Sequence, residues 1–328
     1  PPAKLVQPTS ASEPTRPPAT QPAATSATKD GYPAKGKSVT YIVPWAAGGG
    51  ADTTARVLAE GLEKELGVPI QVVNKPGASS QVGITELVRT EPDGYTIGLA
   101  SLPSSITVYL DRERQAIFGR KDLQPVALQT IDPNTIVVKT ESSLKSLKDL
   151  IDAAKAKPEK ITVSTDGLLS DSHLLLLALE QAAGVKFNIV HFQGGFSEHL
   201  PAVLGGHVDA AGGVSGIHSG PFKAGQIRLL GIADKQRNRF FPDVPTFKEQ
   251  GYDVSMAVSR GVMVRAGTPK EILGALSSAI KKAMETERFQ KKMEEQFMAV
   301  RYMGPEEFSA YWDELEAMAK PLMALAKK

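Results

Sequence analysis

The chain has 328 residues, of which 41% are hydrophobic and 23% charged, and its formal net charge at pH 7 is +2. This length and composition are typical of a globular protein of about two domains, and so small a net charge gives no field that would attract nucleic acid. The absence of cysteine excludes disulfides, thiolate nucleophiles and cysteine-based metal sites. No apolar stretch approaches the roughly 20 residues that cross a bilayer.

The first 37 residues differ in composition from the rest of the chain. They consist mostly of proline, alanine, threonine, serine and glutamine, and Leu5 and Val6 are the only aliphatic side chains larger than alanine among them. Such a segment buries too little apolar surface to offset the entropy of ordering it, so residues 1–37 are predicted to form a disordered tether, roughly 30 Å long on average. The composition fits a tether to a membrane anchor, an interdomain linker or a fusion linker.

From Val39 onward, strand-like and helix-like segments alternate. The apolar run "SVTYIVPW" predicts a buried strand, three glycines follow it, and leucines at every fourth position predict a helix over residues 52–66 that ends at Gly67. "IQVVNKP", "ITELVRTEP" and "GYTIGLAS" predict a strand, a helix and a strand, with the turn "GASSQVG" after the first of them. The alternation indicates βαβ units, and therefore an α/β fold with mainly parallel sheets flanked by helices.

A second series of the same kind follows. "LQPVALQTIDPNTIVVKT", "KITVST", "FNIVHF", "HVDAA" and "QIRLLGIAD" are predicted to be extended, with helices at "SLKDLIDAAKAKP", 171–183 and near 197–204. "VSRGVMVRAGTP" is predicted to be a strand that returns to the first series, and three helices over 270–286, 287–297 and 305–326 close the chain. We expect two lobes, the first formed by residues 38–135 and 256–328 and the second by residues 136–255.

The glycine run lacks the spacing of nucleotide-binding motifs. Gly48 and Gly50 begin a G-x-G, but Thr53 stands where a third glycine belongs, and no lysine followed by serine or threonine completes a P-loop. A G-x-S-x-G nucleophile elbow is missing. The histidines form no i, i+4 pair, and no two carboxylates have a spacing that marks them as an acid–base pair. We therefore expect no metal, no cofactor and no enzymatic activity.

The glycine turns are better suited to holding an anion. "PWAAGGG" and "KPGASSQVG" each follow a predicted strand and precede a predicted helix. The unpaired N–H groups and the dipole at the start of a helix favour negative charge, and in an open parallel sheet such turns meet at the edge where ligands bind. "STDGLLSDSH" and "HFQGG" add two turns from the second lobe, so the four together describe a cleft. Each turn taken alone is also explained by a tight bend or by close helix packing.

These residues resemble a known family. "YIVPWAAGGGADTTARVLAEGLEKELGVPIQVVNKPGASSQVG" and "PDGYTIGLAS", with "DLQPVAL", "HFQGGFSEHLPAVLGGHVDAA", "FPDVPTFKEQGYDV" and "AGTPKEIL", are similar to the Bug family of extracytoplasmic solute receptors. These receptors are the substrate-binding components of tripartite tricarboxylate transporters. The resemblance covers essentially the whole chain after the predicted tether.

The resemblance implies a Venus-flytrap fold of the type II periplasmic-binding class that closes on a carboxylate-bearing solute. In the family the first two turns hold one ligand carboxylate through backbone amides and ordered water. The ligand-binding residues expected here are Trp45, Ala46, Ala47, Gly48, Gly49, Ala78, Ser79, Ser80, Gln81 and Ser101, and, in the second lobe, Thr165, Asp166, His173, Gln193, Gly194 and Gly195.

Three positions depart from the family pattern. Ser79, Ser80 and Gln81 replace a usual Gly-Gly-Asn and bring side-chain donors, and Ser259-Arg260-Gly261 stands where an aromatic residue often precedes the glycine. "STDGLLSDSH" carries two acids in a segment that is commonly neutral. An unpaired acid facing the cleft would repel a second ligand carboxylate, so the distal group of the ligand could be neutral or cationic.

Several of these residues have two interpretations. Asp52 and Asp171 stand where helix N-caps belong, and Asp52 is also spaced to pair with Arg56, so capping or pairing competes with ligand contact. Asp166 is either a turn residue or part of the cleft. His173 could contact a carboxylate when protonated, or serve as a surface or capping residue, and Trp45 could simply wall the cleft. Arg260 is expected at an exposed strand end unless it points to the ligand.

The leading functional hypothesis is an extracytoplasmic receptor, periplasmic or lipid-tethered, that delivers a mono- or dicarboxylate to membrane permease subunits and whose body is a monomer. If the protein is exported, its signal segment is not part of this sequence. The alternatives are a receptor of the same fold that presents its ligand to a membrane sensor kinase, and an α/β enzyme that acts on a carboxylate.

Overall fold

The computed structural model describes residues 31–192 and 196–326. Most of the predicted tether, residues 1–30, and the predicted ligand-binding residues Gln193, Gly194 and Gly195 lie outside the described residues. Among the residues described, no helix combines the length and the apolarity that a membrane crossing requires.

The N-terminal part of the fold contains the first predicted strand–turn–helix units. Its elements are β1 Val39–Val43, α1 Gly50–Leu66, β2 Ile70–Asn74, α2 Gln81–Leu87, β3 Thr96–Leu102 and α3 Ser104–Leu110. β1 pairs in parallel with both β2 and β3. The buried leucines of α1 lie against this sheet, and each fully buried leucine stabilises the fold by about 2 kcal/mol.

The central part of the chain forms a second group of elements. They are β4 Leu123–Lys139, α4 Leu147–Ala156, β5 Thr162–Thr165, α5 Asp171–Ala183, β6 Asn188–His191, α6 Phe196–Leu204, β7 Ala210–Val214, α7 Ser215–Lys223 and β8 Ile227–Ile232. β5 pairs in parallel with β6 and β7, as the alternation predicts. Helix α7 was not predicted, because its two glycines and its proline are poor helix formers.

The chain then returns through β9 Ala257–Arg265 and closes with α8 Lys270–Glu285, α9 Glu287–Glu295, β10 Ala299–Met303 and α10 Pro305–Leu325. β9 lies between β3 and β4 and is antiparallel to both. The long β4 pairs with β9 and β10 along its first part and with β7 and β8 along its last part. The sheet is therefore parallel in its two outer parts and antiparallel where β4 and β9 join them.

Tertiary contacts begin before residue 38, the predicted start of the first lobe. The hydroxyl of Tyr32 donates to the carbonyl of Gly94 at 2.6 Å, and its ring packs 5.3 Å from that of Tyr95. The amide of Ala34 donates to the Tyr95 hydroxyl at 2.9 Å. Residues 32–34 therefore belong to the packed body. The aromatic contact offsets the conformational entropy that is lost when these residues become ordered, an effect that composition alone does not predict.

Candidate ligand-binding site

The first glycine turn connects β1 to α1 and is organised by Asp52. The helix starts at Gly50 with Gly49 at the N-cap, so the prediction of Asp52 as N-cap is wrong. Asp52 is instead a buried residue of the first helical turn, and its carboxylate accepts hydrogen bonds from the amide of Gly48 at 2.9 Å and from Arg56 at 3.0 Å. It also accepts from the side-chain amide of Asn74 at 2.8 Å.

These contacts fix both the charge and the shape of the turn. Burial works against ionisation of Asp52, but the hydrogen bonds from Arg56, Gly48 and Asn74 hold the pKa of its carboxyl below the ordinary value. Because Gly48 donates to Asp52, that amide is not available to a ligand. The amides at the start of α1 have no acceptor within the helix and remain the donors of this turn. Ala46, Ala47, Gly48 and Gly49 are exposed, and Trp45 is half-buried.

The second turn connects β2 to α2 through an unusual backbone. Ala78, Ser79 and Ser80 all have positive φ, at 46°, 53° and 85°, directly after Gly77 at 137°. A left-handed conformation costs a non-glycine residue roughly 1–2 kcal/mol, and such strain is concentrated at functional sites. Ser80 is buried, and its hydroxyl has no hydrogen-bond partner among the described residues.

Gln81 has a structural role that its sequence position does not reveal. Its side-chain amide donates to the carbonyl of Arg114 at 2.9 Å, and Arg114 donates back to the carbonyl of Ala78 at 3.3 Å. The amide nitrogen expected to face a ligand is therefore used to hold the second turn to the segment after α3. A surface depression of about 570 Å³ borders the second turn here, but no residue of the first turn lines it, so it is not the predicted cleft.

Arg260 is the main residue whose position the sequence analysis misplaced. It is buried in the middle of β9, opposite Ser101 of β3, and is not at an exposed strand end. A Cβ on Gly50 would stand 3.5 Å from the Arg260 guanidinium, so Arg260 lies beside the start of α1. Burial lowers the pKa of Arg260, and the nearby Asp132 and Asp171 raise it.

Asp132 of β4 is the partner of Arg260 and was not predicted as a site residue. Its Oδ2 lies 3.9 Å from Nη1 of Arg260, and both side chains are buried. Its Oδ1 accepts from the hydroxyl of Ser215 at 2.9 Å and from the amide of Gly216 at 3.1 Å, at the start of α7. Burial raises the pKa of Asp132, against the opposing effects of Arg260 and these hydrogen bonds.

Two residues further along β4, Asn134 lies on the same face of the strand and contacts the start of α5. Its side-chain nitrogen donates to Oδ2 of Asp171 at 2.6 Å, and both residues are buried. The N-cap of α5 is Ser170 and not Asp171, because the Ser170 hydroxyl accepts from the amide of His173. Burial, reinforced by the charge of Asp166, raises the pKa of Asp171 to about 7.

The other predicted residues of this part form internal hydrogen bonds. Asp166 is half-buried and accepts from the hydroxyl of Ser172. The hydroxyl of Thr165 lies 2.7 Å from Nδ1 of His191. His173 packs 4.5 Å from the His191 ring, and its Nδ1 accepts from the amide of Leu169 at 3.0 Å.

Burial works against the protonated role considered for His173. Burial, with a smaller contribution from His191, lowers the pKa of His173 to about 4, so the imidazole is neutral at pH 7. Within the described part of the chain, no three side chains of the metal-binding types are grouped so that they could hold a metal ion.

The contacts form a continuous polar path between the two parts of the sheet. It runs from the start of α1 to Arg260, Asp132 and Asn134, and on to Asp171 and Asp166 at the start of α5. Helix starts and a cation occupy one end of the path and two carboxylates the other. An arrangement of this kind can bind a charged small molecule.

Comparison with known proteins shows that the chain is similar to solute receptors. The family model "Tripartite tricarboxylate transporter family receptor" matches residues 54–324. BugT of Bordetella pertussis is 32% identical over 266 residues, which are 78% of each chain. A ligand-free TctC solute-binding protein from Polaromonas has a TM-score of 0.78 at 30% identity and covers 89% of this chain and 99% of its own.

A further solved structure contains a ligand. MatC from Rhodopseudomonas palustris, with bound malate, has a TM-score of 0.75 at 25% identity and covers 88% of this chain and 99% of its own. The similarity to these structures confirms the predicted two-lobe α/β fold.

Proposed function

We propose that this chain, which belongs to the tripartite tricarboxylate transporter receptor family, captures a small organic carboxylate between two lobes and delivers it to membrane permease subunits. Family members are solute-binding receptors of the periplasm and not enzymes, which confirms the expectation that this chain catalyses no reaction. Binding occurs outside the cytoplasm, and the lobes that close are residues 38–135 with 256–328, and residues 136–255.

The observation that carries the proposal is the convergence of donors at one end of the polar path. The turns after β1 and β2 open from neighbouring parallel strands, and buried Arg260 lies beside the start of α1. A charge-assisted hydrogen bond contributes about 1.5–3 kcal/mol, and micromolar binding requires about 8 kcal/mol. A carboxylate that accepts four or five such bonds therefore reaches micromolar affinity. The malate bound to MatC supports a carboxylate as the ligand class.

Ligand capture is tested on the full chain after it has been unfolded and refolded, so that any solute retained in purification is removed. A panel of mono-, di- and tricarboxylates and amino acids is screened for a rise in thermal midpoint, which binding to the native state alone produces, and hits are measured by calorimetry. We expect a carboxylate to bind, and the variants R260Q and S80A to weaken it at least ten-fold. R239Q, which removes an exposed arginine, is the matched control and should leave affinity unchanged.

Closure and delivery are tested separately. Ligand that bridges the lobes shifts the population toward a closed form, so saturating ligand should reduce the radius of gyration in solution scattering. Delivery requires that the purified receptor stimulate uptake of the same solute into vesicles that contain the permease subunits. A ligand that binds but neither closes the protein nor supports uptake would contradict the transport role while leaving the receptor role intact.

A further inference from the structure

We propose that the ligand is an amino-carboxylate whose carboxylate lies beside Arg260 and the start of α1, and whose protonated nitrogen lies against Asn134, Asp166 and Asp171. This inference rests on the proposed function and specifies its ligand class. It depends on the opposite polarity of the two ends of the polar path.

Asn134 carries an acceptor that needs a donor. The residue is fully buried, and its side-chain nitrogen donates to Oδ2 of Asp171 at 2.6 Å. The remaining atom, Oδ1, accepts no hydrogen bond from the described residues. Buried polar atoms of proteins are nearly always paired, so a donor such as an ammonium group is the partner that this atom lacks.

The charges around Asp171 also favour a cation. Asp166 lies on the loop before α5 and Asp132 on β4, whereas Arg260 on β9 is the cation that acts on Asp171 and is already paired with Asp132. Asp166 and Asp171 therefore share an excess of negative charge.

The surrounding histidines do not neutralise this charge. The pKa values of His173, His191, His199 and His218 are all lowered, in each case mainly by burial, so these side chains are neutral at pH 7. A second ligand carboxylate at this end would meet repulsion, whereas an ammonium group would be attracted.

The end of the polar path near Arg260 has buried donors that lack acceptors in the part of the chain that the structure describes. Nε of Arg260 and Nε1 of Trp45 are buried donors without an acceptor among the described residues. A ligand carboxylate supplies acceptors for such donors. Asp132, which contacts Arg260, and Asn134, which contacts Asp171, are two residues apart on β4, so their backbones lie about 7 Å apart.

Matched ligand triplets test the inference on the refolded full chain by calorimetry at pH 7. Each triplet holds an ω-amino acid, the monocarboxylate of equal length and the dicarboxylate of equal length, from three to six carbons, with aspartate and glutamate added. We expect an amino member to bind at least ten-fold more tightly than its dicarboxylate. D171N should weaken the amino member at least ten-fold and leave the dicarboxylate equal or tighter, whereas R260Q should weaken both.

Proton linkage gives a second measurement that needs no variant. Titrations in two buffers of different ionisation enthalpy report protons released or taken up on binding. An ammonium group that reaches Asp171 favours the ionised carboxylate, so protons should be released. Tightest binding of a dicarboxylate with proton uptake would overturn the inference and leave the proposed function standing, whereas failure of every carboxylate to bind would overturn both.

Discussion

Replacement of Arg260 by methionine tests whether the buried ion pair holds the junction of β4 and β9 together. The guanidinium of Arg260 lies 3.9 Å from Asp132, and the two side chains are 10% and 1% exposed. At an effective dielectric constant of 20, two unit charges at this distance attract each other by about 4 kcal/mol. Removal of one partner of a buried pair typically costs 3–5 kcal/mol because the other charge stays buried. We therefore expect R260M to lower the free energy of unfolding by about 3–4 kcal/mol at pH 7.

A double-mutant cycle separates this effect from the loss of packing. In R260M/D132N both charges are gone, so the double variant should be more stable than the sum of the two single losses predicts, by about 2–3 kcal/mol. Urea unfolding of refolded, ligand-free protein, followed by tryptophan fluorescence and circular dichroism, measures the four stabilities. R239M breaks an exposed pair with Glu294 and should change stability by less than 1 kcal/mol.

The pH dependence of R260M gives an independent check. Burial raises the pKa of Asp132 above its unfolded value, and loss of Arg260 removes the charge that opposes this rise. A raised carboxyl pKa destabilises the fold as the pH rises through it, so the deficit of R260M should shrink as the pH is lowered. Additive single-variant losses, or a deficit that does not depend on pH, would refute the assignment of a buried ion pair.

Three further predictions concern other parts of the fold. Because the pKa of Asp171 is raised to about 7, its neutral form stabilises the fold, and this contribution is complete below the pKa of the unfolded state and is lost as the pH rises through 7. The side chain of D171N does not ionise, so the stability of D171N relative to wild type should increase by at least about 1 kcal/mol between pH 4 and pH 8. Parallel pH profiles of the two proteins would contradict this. D52A should lower the free energy of unfolding by about 2–4 kcal/mol because three hydrogen bonds to a buried carboxylate are lost. The control R56A should lower it by under about 1 kcal/mol. Equal losses for the two variants in chemical denaturation would argue against the role of Asp52. G61A places a Cβ 2.6 Å from an alanine of α8 and should cost about 1–3 kcal/mol in a thermal-melt series, whereas G274A, on the open face of that helix, should stabilise by about 0.5–1 kcal/mol.

The βαβ order and most element positions could be predicted because their signals are local. The leucine spacing of α1, the glycine that ends it, and the glycine turns before α1 and α2 are each contained in a few neighbouring residues. Helix α5 spans residues 171–183, as predicted, because a serine cap precedes its apolar run and a glycine in the left-handed conformation ends it. These features depend on backbone geometry and side-chain periodicity, which neighbouring residues determine.

The assignments that failed depend on residues far apart in the chain. Asp52 is of a residue type that is common at N-caps, but its position inside α1 depends on contacts with Gly48 and with Asn74 of the next strand. Strand β10 was not predicted because its extended form depends on pairing with β4, more than 160 residues earlier. His173 has an ordinary sequence context, and its pKa is lowered only in the fold, mainly by burial and to a smaller extent by His191 of β6.

By itself, the sequence determined the α/β class, the two strand-to-helix glycine turns and the resemblance to solute receptors, since each depends on local pattern or on a contiguous motif. Only the tertiary structure decided the charge arrangement of the site. Arg260 and Asp132 are 128 positions apart in the sequence. They become a buried pair because β9, which carries Arg260, lies between β3 and β4 in the sheet. Burial and pairing set the charge of an ionisable group, and both are properties of the strand order, which residue spacing along the chain does not encode.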